Sequence, residues 1–233
     1  MANLKWEAVI LAAGLFLLGK SIESGINNIV QKNRVVNVKG LSEMEVEANK
    51  VTWPMMYKQV GNNLLSIYDE INETNKIIVN FLKDNGIDEK EITINAPEII
   101  DLNAERYGEN KSDYRYNVST VITVTSQKVS LVRRLISEQS ELLKQGVAIT
   151  SGDYRYQVEY DYTGLNEIKP QMIEEATKNA RAAAEKFAKD SDSKLGKIKY
   201  AYQGQFSIAD RDNNTPYIKK VRVVTTLDYY LED

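Results

Sequence analysis

Residues 114–125 read YRYNVSTVITVT. Tyr114, Tyr116, Val118, Thr120, Ile122 and Val124 recur at every second position, so they share one face of an extended chain. Tyrosine, valine, isoleucine and threonine suit a pleated, half-buried surface. Upstream, residues 61–85 follow another period. Leu64, Leu65, Ile67, Ile71, Ile77, Ile78, Phe81 and Leu82 fall near 3.6 spacing, and Gly86 stands where a glycine closes a helix. Between the two, residues 92–100 read as extended, with Pro97 placing part of the run at an edge or bulge, and residues 102–112 as a polar connection.

The same reading continues outward. Residues 129–143 form a helix through Leu131, Leu135, Leu142 and Leu143, followed by Gly146. Residues 154–162 alternate as a strand, 165–189 form a long helix, and strands near 197–208 and 219–231 follow. Towards the N-terminus, residues 34–52 hold two strand-like runs, which Trp53-Pro54 is expected to end because proline cannot continue a ladder. The order β-β-α-β-β-α-β-α-β-β predicts an α+β fold, a mainly antiparallel sheet carrying long packed helices.

The chain has 233 residues, 42% of them hydrophobic and 27% charged, and a net charge of −3. That charge implies no particular partner and argues against nucleic acid, which demands a concentrated basic face. There is no cysteine and no histidine. Disulfides, thiolate nucleophiles, Ser-His-Asp and Cys-His catalysis and the usual zinc sites are thereby excluded. No glycine-rich phosphate loop occurs either. The expectation is a protein that is not an enzyme and carries no cofactor.

At the N-terminus, residues 8–19 read AVILAAGLFLLG. Twelve helical residues span about 18 Å, short of the roughly 30 Å of a bilayer core. Leu4 and Trp6 extend the run upstream and Ile22, Ile26 and Ile29 downstream; Trp6, Leu11, Leu15, Phe16 and Leu18 would form the membrane anchor. An uncleaved signal anchor, a cleaved signal peptide and a buried helix of a soluble protein are the three readings. Residues 1–33 are taken as anchor and linker and 34–233 as the body. Lys5 on one side and Lys20, Lys32 and Arg34 on the other leave orientation open.

Three features of the body invite a functional reading. Tyr154, Tyr156, Tyr160 and Tyr162 would share one strand face, either as an aromatic platform or subunit interface, or as an ordinary half-buried sheet. Asp113-Tyr114-Arg115-Tyr116 recurs as Asp153-Tyr154-Arg155-Tyr156, as if two neighbouring strands did equivalent work. Residues 210–214, DRDNN, resemble the start of a calcium loop, but Thr215 and Val221 break the pattern and leave a polar turn. In the helix 165–189, Ile173, Ala176, Ala180, Ala183, Ala184 and Phe187 mark one broad face for close packing.

Several segments together resemble the SIMPL domain, DUF541, of bacterial envelope proteins. They are Val35 to Gly40 with Ser42, Glu43, Ala48, Lys50 and Val51; Gly86-Ile87 before Glu91-Ile92-Thr93; the alanine-rich run Ala176 to Ala188; and Leu195-Gly196-Lys197-Ile198. The resemblance implies an exported α+β domain facing the periplasm, a homo-oligomeric partner in some relatives, and a link to oxidative or envelope stress, with no catalytic residues to carry over. The sequence therefore points to a membrane-anchored, self-assembling protein of the bacterial inner membrane. The alternative is a ligand- or protein-binding periplasmic module that uses the tyrosine face.

Overall fold

The computed structural model describes residues 2–31, 34–104, 113–150 and 153–232, with side chains of the first helix described over 6–25. Most of the expected polar connection (105–112) and the side chains of Leu4, Ile26 and Ile29 lie outside the described residues. The elements are α1 (Ala2–Gln31), β1 (Val35–Glu47), β2 (Lys50–Gly61), α2 (Leu64–Asp84), a 3-10 turn (Glu89–Glu91), β3 (Ile92–Ile94), β4 (Glu98–Asp101) and β5 (Tyr116–Ser126). They continue with α3 (Val129–Glu138), α4 (Ser140–Lys144), β6 (Glu159–Asp161), α5 (Leu165–Asp190), β7 (Lys194–Gln203), β8 (Ser207–Asp210) and β9 (Ile218–Glu232). The sheets are antiparallel and the class is α+β. By its internal contacts the chain divides into two compact units.

The first unit comprises residues 1–44, 166–208 and 221–233. Its sheet runs in the order β1-β9-β7, with β8 also paired to β9. Strict alternation turns Val36, Val38, Gly40 and Ser42 of β1 inward, and Val221, Val223, Thr225, Leu227 and Tyr229 of β9 likewise. The helix α5 covers this face with Met172, Ala176, Ala180, Ala184 and Ala188, each four residues from the last. Ile173, Ala183 and Phe187, expected on the packed face, are not buried, and Phe187 is 54% exposed. Four residues turn a helix by about 400°, so this stripe drifts about 40° per step. It winds slowly round α5, as contact with a twisted sheet requires. Where β1 comes closest, Gly40 has no room for a side chain. A Cβ there would overlap the Ala176 carbonyl oxygen and Ala180 nitrogen and lie 2.8 Å from Ala180 Cβ.

The second unit comprises residues 45–165 and 209–220. Its sheet runs β3-β5-β2-β6, with β4 also paired to β5. Val51, Trp53, Met55 and Tyr57 of β2 and Val118, Ile122 and Val124 of β5 turn to one face. Ile67, Ile71, Ile78 and Leu82 of α2, Val132 and Leu135 of α3 and Leu142 of α4 pack there. Asn63 caps α2 by accepting from Leu65 N at 2.8 Å. At the other end Gly86 takes φ +92, and Ile87 N reaches back to the Leu82 carbonyl at 3.0 Å.

Three local expectations are corrected. Trp53-Pro54 does not end a strand: β2 runs through it, with Pro54 opposite Thr123 of β5. Met56, two residues on and facing the same way, offers its carbonyl to Thr150 N, on the side away from β5. Pro54 therefore lacks its N–H on a side where β6 has already ended at Glu159, opposite Thr52. The second of the two runs in residues 34–52 is not a single strand either: Val46 falls in β1 and Val51 in β2, which belong to different sheets. Finally, the helix expected over 129–143 breaks at Gln139, where Leu142 N bonds the Gln139 carbonyl at 3.1 Å in a tighter turn. Both Leu135 and Leu142 stay fully buried.

Candidate functional site

The helix α1 is the first candidate element. Within its 30 residues, the stretch Trp6–Gly25 has a mean hydropathy of 1.5, and none of it is buried. Twenty helical residues at 1.5 Å each give about 30 Å, the thickness of a bilayer core. The helix thus continues beyond the apolar run of residues 8–19 far enough to cross a membrane by length and composition. Trp6, Leu11, Leu15, Phe16 and Leu18 are all exposed, Trp6 to 71%.

The four tyrosines do not form the expected face. Only residues 159–161 are a strand; Tyr154, Arg155 and Tyr156 sit in a turn. The Asp153 carboxylate accepts from Arg155 N at 3.0 Å, a local bond that competes with an extended ladder, and also pairs with the Arg155 guanidinium at 3.0 Å. Tyr154 points out, 82% exposed. Arg155 lies 5.3 Å over the Tyr156 ring. Tyr162 donates to the Gly164 carbonyl at 3.1 Å. The repeated motif is therefore not two equivalent strands. At the first copy Tyr116 opens β5, opposite Gly61 and Asp101, and Arg115 pairs with Asp101 at 2.9 Å. What both copies share is an arginine laid over the next tyrosine, at 4.9 Å for Arg115 and Tyr116.

Tyr160 belongs to a different constellation. β6 carries it opposite Val51, and its ring meets that of Tyr217 edge-on, with centroids 6.2 Å apart and planes at 70°. The Arg133 guanidinium of α3 lies flat over Tyr217, 3.3 Å from the ring centroid. Burial pushes the Tyr160 phenol up from its ordinary pKa, while the positive charge of Arg133 pulls the other way. The phenol is neutral at physiological pH. These groups border an open cleft of about 700 Å³. Ser130, Arg133, Arg134 and Ser137 supply one wall from a single flank of α3; Asn213 and Asn214 supply the opposite wall.

The loop carrying that second wall is the former calcium-loop candidate, and its geometry explains why it is a turn. Asp212 accepts from Asn214 N at 2.8 Å and Thr215 N at 2.9 Å, from the Thr215 hydroxyl, and from Arg211 Nε at 3.1 Å. The Thr215 hydroxyl and the Arg211 guanidinium lower its carboxyl to about 2. The carboxylate is engaged with its own loop. Among the described residues no group of three or more acidic side chains is placed to hold a metal.

Carboxylates do not converge in the clefts described. The cleft at Arg133 has none, its neighbour has Glu47, and a third, beside Lys58 and Tyr154, has Asp153. Asp88 and Glu91 do approach each other, but both bind Lys128 Nζ, at 2.8 and 3.2 Å. Bonding to that ammonium lowers Asp88, and in Glu91 hydrogen bonds from Asp88 N, Ser126 and Lys128 outweigh the upward push of burial. Neither is held protonated as a general acid would be.

Sequence reasoning missed Arg133 and Tyr217, which are distant in the chain and meet only through the fold. It also missed Tyr200 and Tyr202, whose spacing of two in β7 was visible. They lie opposite Asp228 and Thr226, on the side of the sheet away from Leu227 and α5, 56% and 54% exposed.

The described residues thus form an antiparallel α+β chain in two units, led by an exposed apolar helix. The family model described as SIMPL, a protein of unknown function (DUF541), matches residues 36–225 and so runs through both units. The chain belongs to this family. No curated protein matches it.

Proposed function

We propose that the protein is a non-enzymatic component of the bacterial cell envelope, held in the inner membrane by α1 with its body in the periplasm, and self-assembling into a homo-oligomer. The observation that carries the reading is the 20-residue apolar stretch Trp6–Gly25, none of it buried against the body. Leaving that much apolar helix in water would cost about 25 cal/mol for every Å². A lipid bilayer is the solvent that suits it.

Self-assembly is supported by the first unit. β7 is an edge strand of ten residues that leaves Ile198, Tyr200 and Tyr202 about half exposed. An uncovered edge of that length is a template for another strand, and exposed tyrosines are enriched where subunits meet. The absence of histidine and cysteine supports the non-enzymatic reading. A role in envelope or oxidative stress rests on family membership alone.

The test of the tether is alkaline carbonate extraction of membranes from cells expressing the full chain. The protein stays with the membrane pellet, and the triple variant Leu11→Gln, Leu15→Gln, Leu18→Gln moves to the supernatant. Extraction of the unaltered chain would overturn the reading.

A further inference from the structure

We infer that the cleft between α3 and the loop 213–217 is a binding site for a carboxylate group. Arg133 supplies the argument. Its guanidinium is held over Tyr217 at 3.3 Å, yet among the described residues that guanidinium has no ion pair or hydrogen-bond partner. Stacking uses the flat face of a guanidinium and leaves its N–H groups radiating in the plane. They form a rigid fork of donors that matches a carboxylate in two parallel bonds. An arginine oriented by an aromatic ring but not spent on an acid is therefore preorganised for an incoming one. Tyr217 is itself steadied by the edge of Tyr160.

The surroundings narrow the ligand. Ser130 of α3 and the amides of Asn213 and Asn214 can donate to an oxygen, while the Ser137 hydroxyl donates to the Arg133 carbonyl at 3.2 Å. Arg134 adds a second cation, partly engaged with Glu138 at 3.9 Å. One free guanidinium, one shared guanidinium and neutral donors suit a single planar carboxylate better than a phosphate dianion. The stack also borders a second cleft of about 580 Å³, where Glu47 stands. That acid directs an anion to the side of Asn213 instead. The inference does not depend on the tether or on assembly, since every residue named lies in the second unit.

The carboxylate has two sources, a free small acid or an acidic side chain of a peptide segment. Isothermal titration calorimetry of the full chain in detergent micelles, with succinate and with acetyl-Asp-Glu-Asp-amide, distinguishes them; acetyl-Asn-Gln-Asn-amide is the uncharged control. Saturable binding of both acids assigns the site to the carboxylate itself, and binding of the acidic peptide alone assigns it to an acidic segment. Arg133→Gln weakens binding about ten- to a hundredfold, the worth of a charge-assisted hydrogen-bonded pair. Arg133→Lys, which keeps the charge and loses the fork, falls between. Asn213→Asp, which touches neither stack nor core, weakens binding independently by charge repulsion. The inference is overturned if neither acid saturates, if the amide peptide binds as well as the acid, or if both Arg133→Gln and Asn213→Asp bind like the unaltered chain.

Discussion

In the first unit a helix meets a sheet through Ala176, Ala180, Ala184 and Ala188, set against Val36, Val38 and Gly40. In the second, helices meet a sheet through Ile67, Ile71, Ile78, Leu82 and Leu135, set against Trp53, Met55, Tyr57 and Ile122. The first contact is backbone against backbone at Gly40, with Met172, Leu227 and Tyr229 filling the rest of the core. The second is filled by large side chains. Small-residue packing gains from close approach and has no slack for added atoms. Large-residue packing gains from buried area and suffers when atoms are removed. The contact at Gly40 and the core at Leu135 should therefore fail under opposite kinds of substitution.

The largest effect is expected in the first unit. Gly40→Val puts branched carbon where the Ala176 carbonyl and Ala180 nitrogen stand, and these are backbone atoms that cannot swing aside. A loss on the order of 4 kcal/mol or more, or failure to fold, is expected. Chemical denaturation followed by far-UV circular dichroism measures it. A variant as stable as the unaltered chain would show that α5 and β1 are not in close contact.

A somewhat smaller effect follows in the second unit. Leu135→Ala leaves a cavity beneath α3 and costs about 2–5 kcal/mol by the same denaturation measurement. The contrast sharpens with Ala184→Gly, which removes a single methyl from the first unit and costs about 1 kcal/mol, mostly through helix propensity.

The smallest effect is electrostatic and belongs to the loop of the second unit. Folding lowers the Asp212 carboxyl from 3.8 to about 2, chiefly through the Thr215 hydroxyl and Arg211. A depressed carboxylate contributes stability that is fully present above its unfolded value and lost as pH falls through its folded one. Thermal melts of the unaltered chain should therefore lose stability between pH 3.8 and about 2 in part through Asp212. With Asp212→Asn the melting temperatures differ at neutral pH and converge at the acid end. A constant difference across that range would show that Asp212 is not the titrating group.

How much of this was legible in the sequence depends on whether the cause was local. α2 was read correctly because its period and its closing glycine lie within the segment itself; Ile67, Ile71, Ile78 and Leu82 are the residues it buries. The antiparallel α+β class followed from the same local periods. Pro54 misled because a proline's effect depends on which side of a strand has a neighbour, a tertiary fact. Residues 154–156 misled because Asp153 captures the backbone of Arg155 in a turn, whereas the same four letters at 113–116 lead into β5. The packed face of α5 was too broad in prospect because alanine and phenylalanine look equally apolar, while contact with a twisted sheet selects only every fourth residue. The division into two units was invisible because the chain passes between them at residues 44–45, 165–166, 208–209 and 220–221. The Arg133–Tyr217 cleft was out of reach for a related reason: α3 supplies one wall and a loop far along the chain supplies the other.

The exposed helix and the uncovered β7 edge together make the central claim, a tethered chain whose body self-associates. Sedimentation equilibrium of the full chain in density-matched detergent tests it most directly. The account predicts a protein mass that is a whole-number multiple of the single chain and that shifts towards the single chain when Tyr200 and Tyr202 are both replaced by lysine. A single-chain mass for the unaltered protein at every concentration would contradict it.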